Sequence, residues 1–435
     1  MSNYGKKAVA LTAATCAMAM GLAGCGSDNS NSAEDDPNAK ITLSISWWGS
    51  NNRVKITDQV LDLYEQQHPN VTIERQNSDW SGYWDKLATQ SAGGNTPDVM
   101  QMGTMQANQY AAQGMLYDLS QQSVLDLSDI DESLVKASQI DGKQLTAPVS
   151  STSQAIIVNH DILDELGLTL PDTSTWTWDD LADFSKQIYE KSGGTIYGIG
   201  DPGNTNGLYY MARQNGNEPY TDGKMTLTAD SATKFFTTLL DWSSDHVSPT
   251  PEMISEDLAA STEQKNFCLK KQAMIMTHST QVTAYAKALG TENVSLEYLP
   301  TTDGKAGDAT IVRPSMLWSV YSQTKYPKAA AELVNFLINN EEAGKIMGTE
   351  RGIPANKTIL KEVTDASSGT DKLTLEYISS LSERPGTALE LEPNGASNID
   401  KTLNRYMQDV LFNKLTPQEA GQKFVDEMQN SIKTA

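Results

Sequence analysis

The side chains that most often carry catalysis are sparse in this chain. The four histidines, His68, His160, His246 and His278, are far apart, and no pair has the i, i+2 or i, i+4 spacing that brings two imidazoles onto one metal ion. Cys268 has no cysteine near it, and neither a Gly-x-Ser-x-Gly elbow nor a Walker lysine loop occurs. The 55 acidic residues leave room for the facing carboxylate pair of a glycan-cleaving enzyme, although no spacing singles out two of them. Gly198-Ile199-Gly200-Asp201-Pro202-Gly203 has the letters of a dinucleotide fingerprint. Pro202 and the lack of an apolar helical pattern after Gly203 go against the strand-turn-helix setting that the fingerprint needs. Ser192 to Gln214 reads instead as a loop rich in glycine, asparagine and tyrosine, with Asn204, Asn206, Tyr209 and Tyr210 as candidate contacts. The residue types that stand out are tryptophan, tyrosine and the side-chain amides. They suit a neutral polyhydroxylated ligand, whose C–H faces stack on aromatic rings while its hydroxyls bond Asn, Gln, Asp and Arg. No cofactor follows from these patterns.

Such side chains gather where strands end. Ile41, Leu43, Ile45 and Trp47 alternate with Thr42, Ser44, Ser46 and Trp48, the period of two of a strand, and Gly49-Ser50-Asn51-Asn52 stops it. Ile56, Val60, Leu63 and Tyr64 then make one helical stripe, ended at His68-Pro69-Asn70 because proline has no amide to donate. Val71 to Arg75 is a second strand. Asp79 to Leu87 opens a second helix, closed by Gly93-Gly94-Asn95, and Pro97 to Gly103 holds a third strand. Strand, helix, strand, helix, strand predicts a parallel sheet with right-handed crossovers. Ligands of open sheets sit beyond the carboxyl ends of the strands, here Trp47 to Arg53, Gln76 to Tyr83 and Gln101 to Gln106.

Farther on, Ala107 to Gly114 reads as a short helix, Ser120 to Ser138 as a loose region and Gly142 to Val149 as a hairpin arm. Ser150-Ser151-Thr152-Ser153 is a polar break before the apolar strand Ala155 to Val158, and the chain is expected to cross there between two domains. Thr177 caps the next helix, with Asp180 three residues on and Leu181, Phe184 and Ile188 on its buried side, which gives Trp176 and Trp178 a structural setting. Lys270 to Met276 is a strand that runs into the polar turn Thr277 to Gln281. Ile311 to Tyr321 is a strand that returns to the first domain. Pro327 to Leu337 has proline in its first turn and Ala330, Leu333, Val334 and Leu337 on one face, the mark of a buried-face helix. The remainder is helical except for a rigid polar loop, Glu390 to Gly395.

The N-terminus reads as a targeting signal. Lys6 and Lys7 precede the apolar run Ala8 to Met20, which is shorter than the ~18 to 20 residues needed to span a bilayer. Leu22-Ala23-Gly24-Cys25 resembles a bacterial lipobox, which implies residues 1–24 as signal peptide, acylation of Cys25, and a tether over residues 25–39 at the outer face of the cytoplasmic membrane. Loss of Lys6 and Lys7 takes the formal charge from −22 to −24, so nucleic acid and anionic membrane are poor partners. With Cys16 removed and Cys25 acylated, no disulfide framework exists, and stability must come from a core.

Ser46-Trp47-Trp48-Gly49, Asp79-Trp80-x-x-Tyr83-Trp84-x-Lys86-Leu87, Gly93-Gly94-x-x-Pro97-Asp98-Val99, Trp176-Thr177-Trp178-Asp179-Asp180 and Arg351-Gly352-Ile353-Pro354 together resemble the extracellular solute-binding proteins of bacterial carbohydrate importers, the family that includes maltose-binding protein. The resemblance runs from about Lys40 to the C-terminus. It implies an α/β, two-lobed periplasmic-binding-protein-like fold whose hinged lobes close on a saccharide, acting as a monomer that docks on the permease subunits of an ABC importer. One lobe would hold residues 40–149 and 311–360, the other 150–310 and 361–435. Carried across residue by residue, the family's site implies Trp47, Trp48, Asn51 and Arg53 from the first strand end. Asp79 and Trp80 head the second helix, and Gln101 and Thr104 follow the third strand. Ser151, His278, Ser279 and Asn394 complete the set from the hinge and the other lobe. Trp47 shares the side of Ile45 and serves a core as readily as a ligand; Asp79 serves equally as a helix cap. Ser150 to Ser153 lacks the acidic residue of maltose-binding protein, which counts against maltodextrin. A receptor for a polyol or a peptide is the alternative within the binding class.

Overall fold

The computed structural model describes residues 39–304, 312–382, 389–396 and 398–434. The signal-peptide and Cys25 expectations lie outside the described residues. Strands are β1 (Ile41–Trp48), β2 (Val71–Ser78), β3 (Val99–Met102), β4 (Ala147–Asn159), β5 (Tyr197–Ile199), β6 (Tyr220–Thr221), β7 (Lys224–Met225), β8 (Gln272–His278), β9 (Val294–Glu297), β10 (Val312–Val320) and β11 (Ile353–Pro354). Among the described residues, no helix is long and apolar enough to cross a membrane.

β1 pairs in parallel with β2 on one side and β3 on the other, through the helices Asn51–Gln67 and Trp80–Ala92. Both helices start on capping side chains: Ser50 accepts from the Arg53 amide and Asp79 from the Gly82 amide. Crossovers cover both sheet faces. Ile41, Leu43, Ile45 and Trp47 pack with Val60, Leu61 and Tyr64 on one side, while Trp48 packs with Tyr83 and Leu87 on the other. The sheet is mixed, because β10 returns antiparallel between β3 and β4.

One expectation fails at Ser150-Ser151-Thr152-Ser153. There is no break: β4 is a single 13-residue strand that runs through these four residues and changes partners along its length. Its first half pairs with β10 as far as Val312 opposite Ser153, and its second half pairs with β8 from His278 opposite Gln154. β11 adds to the other edge at Ser150 and Ser151. A run of hydroxyls breaks a strand when its backbone lacks partners; here β10 pairs along all four residues and β11 adds a second edge at Ser150 and Ser151, where the small side chains let both approach.

Two large cores flank this crossing. One joins β1, β3 and β10 to the helices Asn51–Gln67 and Pro327–Asn339. The other joins β4's second half, β5 and β8 to the helices Trp178–Lys191, Thr205–Gln214, Ala229–Ser244, Ile399–Leu411 and Pro417–Lys433. The result is a two-lobed α/β fold. Thr177 forms the expected capping box with Asp180, and the Trp176 indole N–H donates to the Tyr298 carbonyl at 2.9 Å, so this motif is structural.

The segment after Gly203 also departs from expectation, because a helix, Thr205–Gln214, follows β5 and the turn. Its apolar residues Leu208, Tyr209, Met211 and Ala212 do share one side, but the helix is only ten residues long and opens on Thr205-Asn206-Gly207, weak helix formers that read as loop. Strand, turn and helix still make no pyrophosphate site. The Gly203 amide already donates to the Asp201 carboxylate at 2.8 Å, and the Thr205 hydroxyl donates to the Asp400 carboxylate, so an anion would meet negative charge at this helix start.

Candidate ligand cleft

The strand ends of the first sheet carry an aromatic cluster. The ring of Trp48 lies edge-on to that of Trp80 at 5.0 Å between centroids, and Trp80 meets Trp84 edge-on at 5.5 Å. Tyr83 anchors the group from below: its hydroxyl donates to the Gln101 carbonyl at 2.8 Å, and burial pushes its pKa far up. Trp48 is 6% exposed and Trp80 52%. The exposed indole is therefore held by two others without being covered by them.

Beyond Trp80 the chain passes through Gly103 into the helix Thr104–Ala112. A Cβ at Gly103 would lie 2.5 Å from Gln106 Oε1 and 3.8 Å from the Trp80 ring, so glycine is what lets amide and indole close over the end of β3. From there a cavity of about 430 Å³ extends between that helix and the Pro393-Asn394-Gly395 loop, lined by Met105, Gln106, Gln109, Gln113 and Asn394. Its size falls within the usual range for small-molecule sites. Toward the hinge, Arg313 on β10 donates to Glu392 Oε1 at 2.5 Å and to Asn206 Oδ1 at 3.1 Å. Gln154 Nε2 and His278 Nδ1 are 3.0 Å apart. With the amide as donor, Nδ1 accepts and the neutral ring carries its proton on Nε2. Burial and the Arg313 charge push the His278 pKa down, against an opposing effect of Asp400. The arrangement can stack a sugar face on Trp80 and bond its hydroxyls to uncharged amides.

The family model for bacterial extracellular solute-binding proteins matches residues 59–370. The chain belongs to that family. It is similar to the diacetylchitobiose-binding protein DasA of Streptomyces coelicolor, 32% identical over a stretch covering 40% of this chain and 41% of that relative. It is 24% identical to a maltooligosaccharide ABC transporter solute-binding lipoprotein of Streptococcus pneumoniae, over 82% of each chain. The structure of a family 1 extracellular solute-binding protein from Alicyclobacillus acidocaldarius superposes with a TM-score of 0.77 at 25% identity, covering 91% of this chain and 99% of that one.

The residues carried over from the family fall into three groups. Asn394 lines the cavity; Trp80 lies next to Gln106 over Gly103, with Trp48 behind it; Thr104 opens the helix that lines the cavity, and Asn51 is exposed at the start of its own helix. Asp79 caps the Trp80 helix, accepting from the Gly82 amide at 2.7 Å. Arg53 is held by its neighbours: it donates to Glu350 Oε1 at 3.3 Å, to the Glu350 carbonyl at 2.9 Å and to the Trp48 carbonyl at 3.2 Å. Others are packed away. Trp47 has no exposed surface and fills the core beneath β1. Gln101, equally buried, accepts from Arg351 Nε at 3.2 Å. Ser151 and Ser279 are buried at the crossing, and His278 is half-buried beside Gln154. Of the candidates in the glycine-rich segment, Tyr209 and Tyr210 are buried, Asn204 caps its own helix, and Asn206 holds Arg313.

Gln106, Gln109 and Gln113 were readable at i, i+3 and i+7, one face of a helix. Starting that helix at Ala107 rather than Thr104 hid the face.

Proposed function

We propose that this protein is a lipid-anchored receptor that captures an oligosaccharide between its lobes and delivers it to the permease subunits of an ABC importer. The exposed Trp80 ring beside an amide-lined cavity is the observation that carries this reading. Family membership and relatives named for diacetylchitobiose and maltooligosaccharide support it. The lobes are residues 40–149 with 311–360 and residues 150–310 with 361–435, hinged where β4 changes partners. The protein acts as a monomer and leaves its ligand chemically unchanged. Acylation at Cys25 holds it at the outer face of the cytoplasmic membrane.

Calorimetry on the chain from Asp35 onward, with diacetylchitobiose, lactose and maltotetraose as probes, tests the reading. Saturable binding of at least one probe with no new reducing ends is the expected result. Reducing ends generated at catalytic ratios of protein to sugar would replace the receptor with a glycan-cleaving enzyme.

A further inference from the structure

The segment from Leu389 to Gly395 has no regular secondary structure, yet nearly every residue in it is tied down, and the ties alternate between the two halves of the molecule. Leu389 is buried in the core that contains β8 and the C-terminal helices. Glu390 accepts from the backbone amides of Asp222 and Gly223 at 3.2 and 3.3 Å, in the turn between β6 and β7. Leu391 points the other way, into the cluster of Trp48, Tyr83, Met102 and Tyr110. Glu392 offers its carboxylate to Arg313 on β10, and its carbonyl accepts from Asn108 Nδ2 at 2.8 Å on the helix Thr104–Ala112. Pro393, Asn394 and Gly395 then form one wall of the cavity whose other wall is Met105, Gln106 and Gln109.

A polar loop with no ladder of its own keeps a fixed path only where side chains hold it. Leu391 supplies apolar anchorage, but a single leucine does not fix the orientation of the residues that follow. The directional tie is Glu392: both partners of its ion pair are largely buried, with side chains 14% and 12% exposed. Arg313 is also shared with Asn206, so the tie joins β10, the loop and the helix Thr205–Gln214. Loss of one charge would leave the other buried and unpaired, which is the costly way to break such a pair.

We infer that Leu389–Gly395 is a strap forming the second wall of the saccharide cavity, and that Glu392 is the positioning residue that places Asn394 against a bound sugar opposite Gln106 and Gln109. This deepens the receptor reading and rests on it for the identity of the ligand, but not for the positioning of the strap. It predicts that the strap's hold governs how long a ligand stays more than how fast it arrives, because release requires the wall to leave.

The test uses Glu392→Gln, which keeps shape and removes charge, with Asn394→Ala, which leaves the ion pair intact, and Glu392→Asp as the conservative rescue. Hydrogen exchange is measured without sugar, and stopped-flow binding with whichever of diacetylchitobiose, lactose or maltotetraose binds the parent protein. Glu392→Gln should speed exchange at the strap amides while the β1–β3 amides keep their protection, and should raise the dissociation rate about tenfold or more with little change in association. Glu392→Asp should restore most of both. Asn394→Ala should raise the dissociation rate without altering strap exchange. Unchanged strap exchange in Glu392→Gln, or unchanged dissociation in both variants, overturns the inference. Should Glu392→Gln not fold, unchanged dissociation in Asn394→Ala alone overturns it. If none of the three sugars binds the parent, the ligand reading is what fails, and the exchange experiment still decides whether Glu392 positions the strap.

Discussion

Three tryptophans near one strand end have three different exposures, and the two extremes, Trp80 and Trp47, predict opposite mutants. Trp80→Ala should weaken saccharide binding by about 2 kcal/mol or more while folding stability changes little, because the residue is 52% exposed. Trp47→Ala should do the reverse, since removing a fully buried indole costs roughly 3 to 5 kcal/mol of stability. Paired denaturation and calorimetry on the two variants check both. Stable but binding-competent Trp80→Ala would remove that ring from the site. His278 adds a pH dependence. Its folded pKa lies below the ordinary value near 6.5, so the unfolded chain takes up the proton first as pH falls. The contribution is therefore complete above about pH 6.5 and is lost as the solution is acidified through that value toward the lower folded pKa. Chemical denaturation at pH 7.5 and 5.5 should show a smaller acid loss in His278→Gln than in the parent.

At the scale of elements, the crossing of β4 depends on how closely other backbone approaches it. Gly352 sits beside β4 with φ of +99°, and a Cβ there would lie 3.1 Å from Ser315 Oγ and 3.2 Å from Ser150 Cβ. Ser150 and Ser315 hydroxyls are themselves 2.6 Å apart, so neither side chain has an easy way out. Gly352→Ala should destabilise the fold by about 1 to 3 kcal/mol through strain and crowding together, readable as a lowered denaturation midpoint. Most element positions were legible: β1, its following helix, the Thr177 capping box and the helix at Pro327 all stand where period and caps put them. Two were not. Polarity hid the continuity of β4, because pairing on both edges is contributed by strands far away in sequence. Weak helix formers at Thr205-Asn206-Gly207 hid the helix Thr205–Gln214, whose apolar side Leu208, Tyr209, Met211 and Ala212 is too short to outweigh them in sequence.

For the whole molecule, two lobes sharing β4 predict motion about the strand. A ligand that touches both lobes favours the closed arrangement only through the contacts it gains there. Small-angle scattering should show a smaller radius of gyration on saturation with a sugar that binds, and a constant value would count against hinge closure. Location makes a separate prediction: Cys25→Ala should leave the protein released or held as precursor, and normal membrane attachment of that variant would remove the lipid anchor. Neither outcome depends on which sugar binds.

By itself the sequence determined the local order of most strands and helices, the gathering of aromatic side chains near the ends of the first strands, and the wide spacing of the histidines. Those properties depend on neighbours in the chain, where period, caps and residue type act. Only the tertiary structure decided which aromatic rings face outward. Trp47 shares the side of Ile45 and is packed into the core with Val60, Leu61 and Tyr64, whereas Trp80 opens its own helix and is about half exposed. It also decided that Glu392 meets Arg313 across 79 positions and that Asn394 faces Gln106 across a cavity. Burial and ion pairing are set by what packs alongside, and for these residues the partners come from distant parts of the chain.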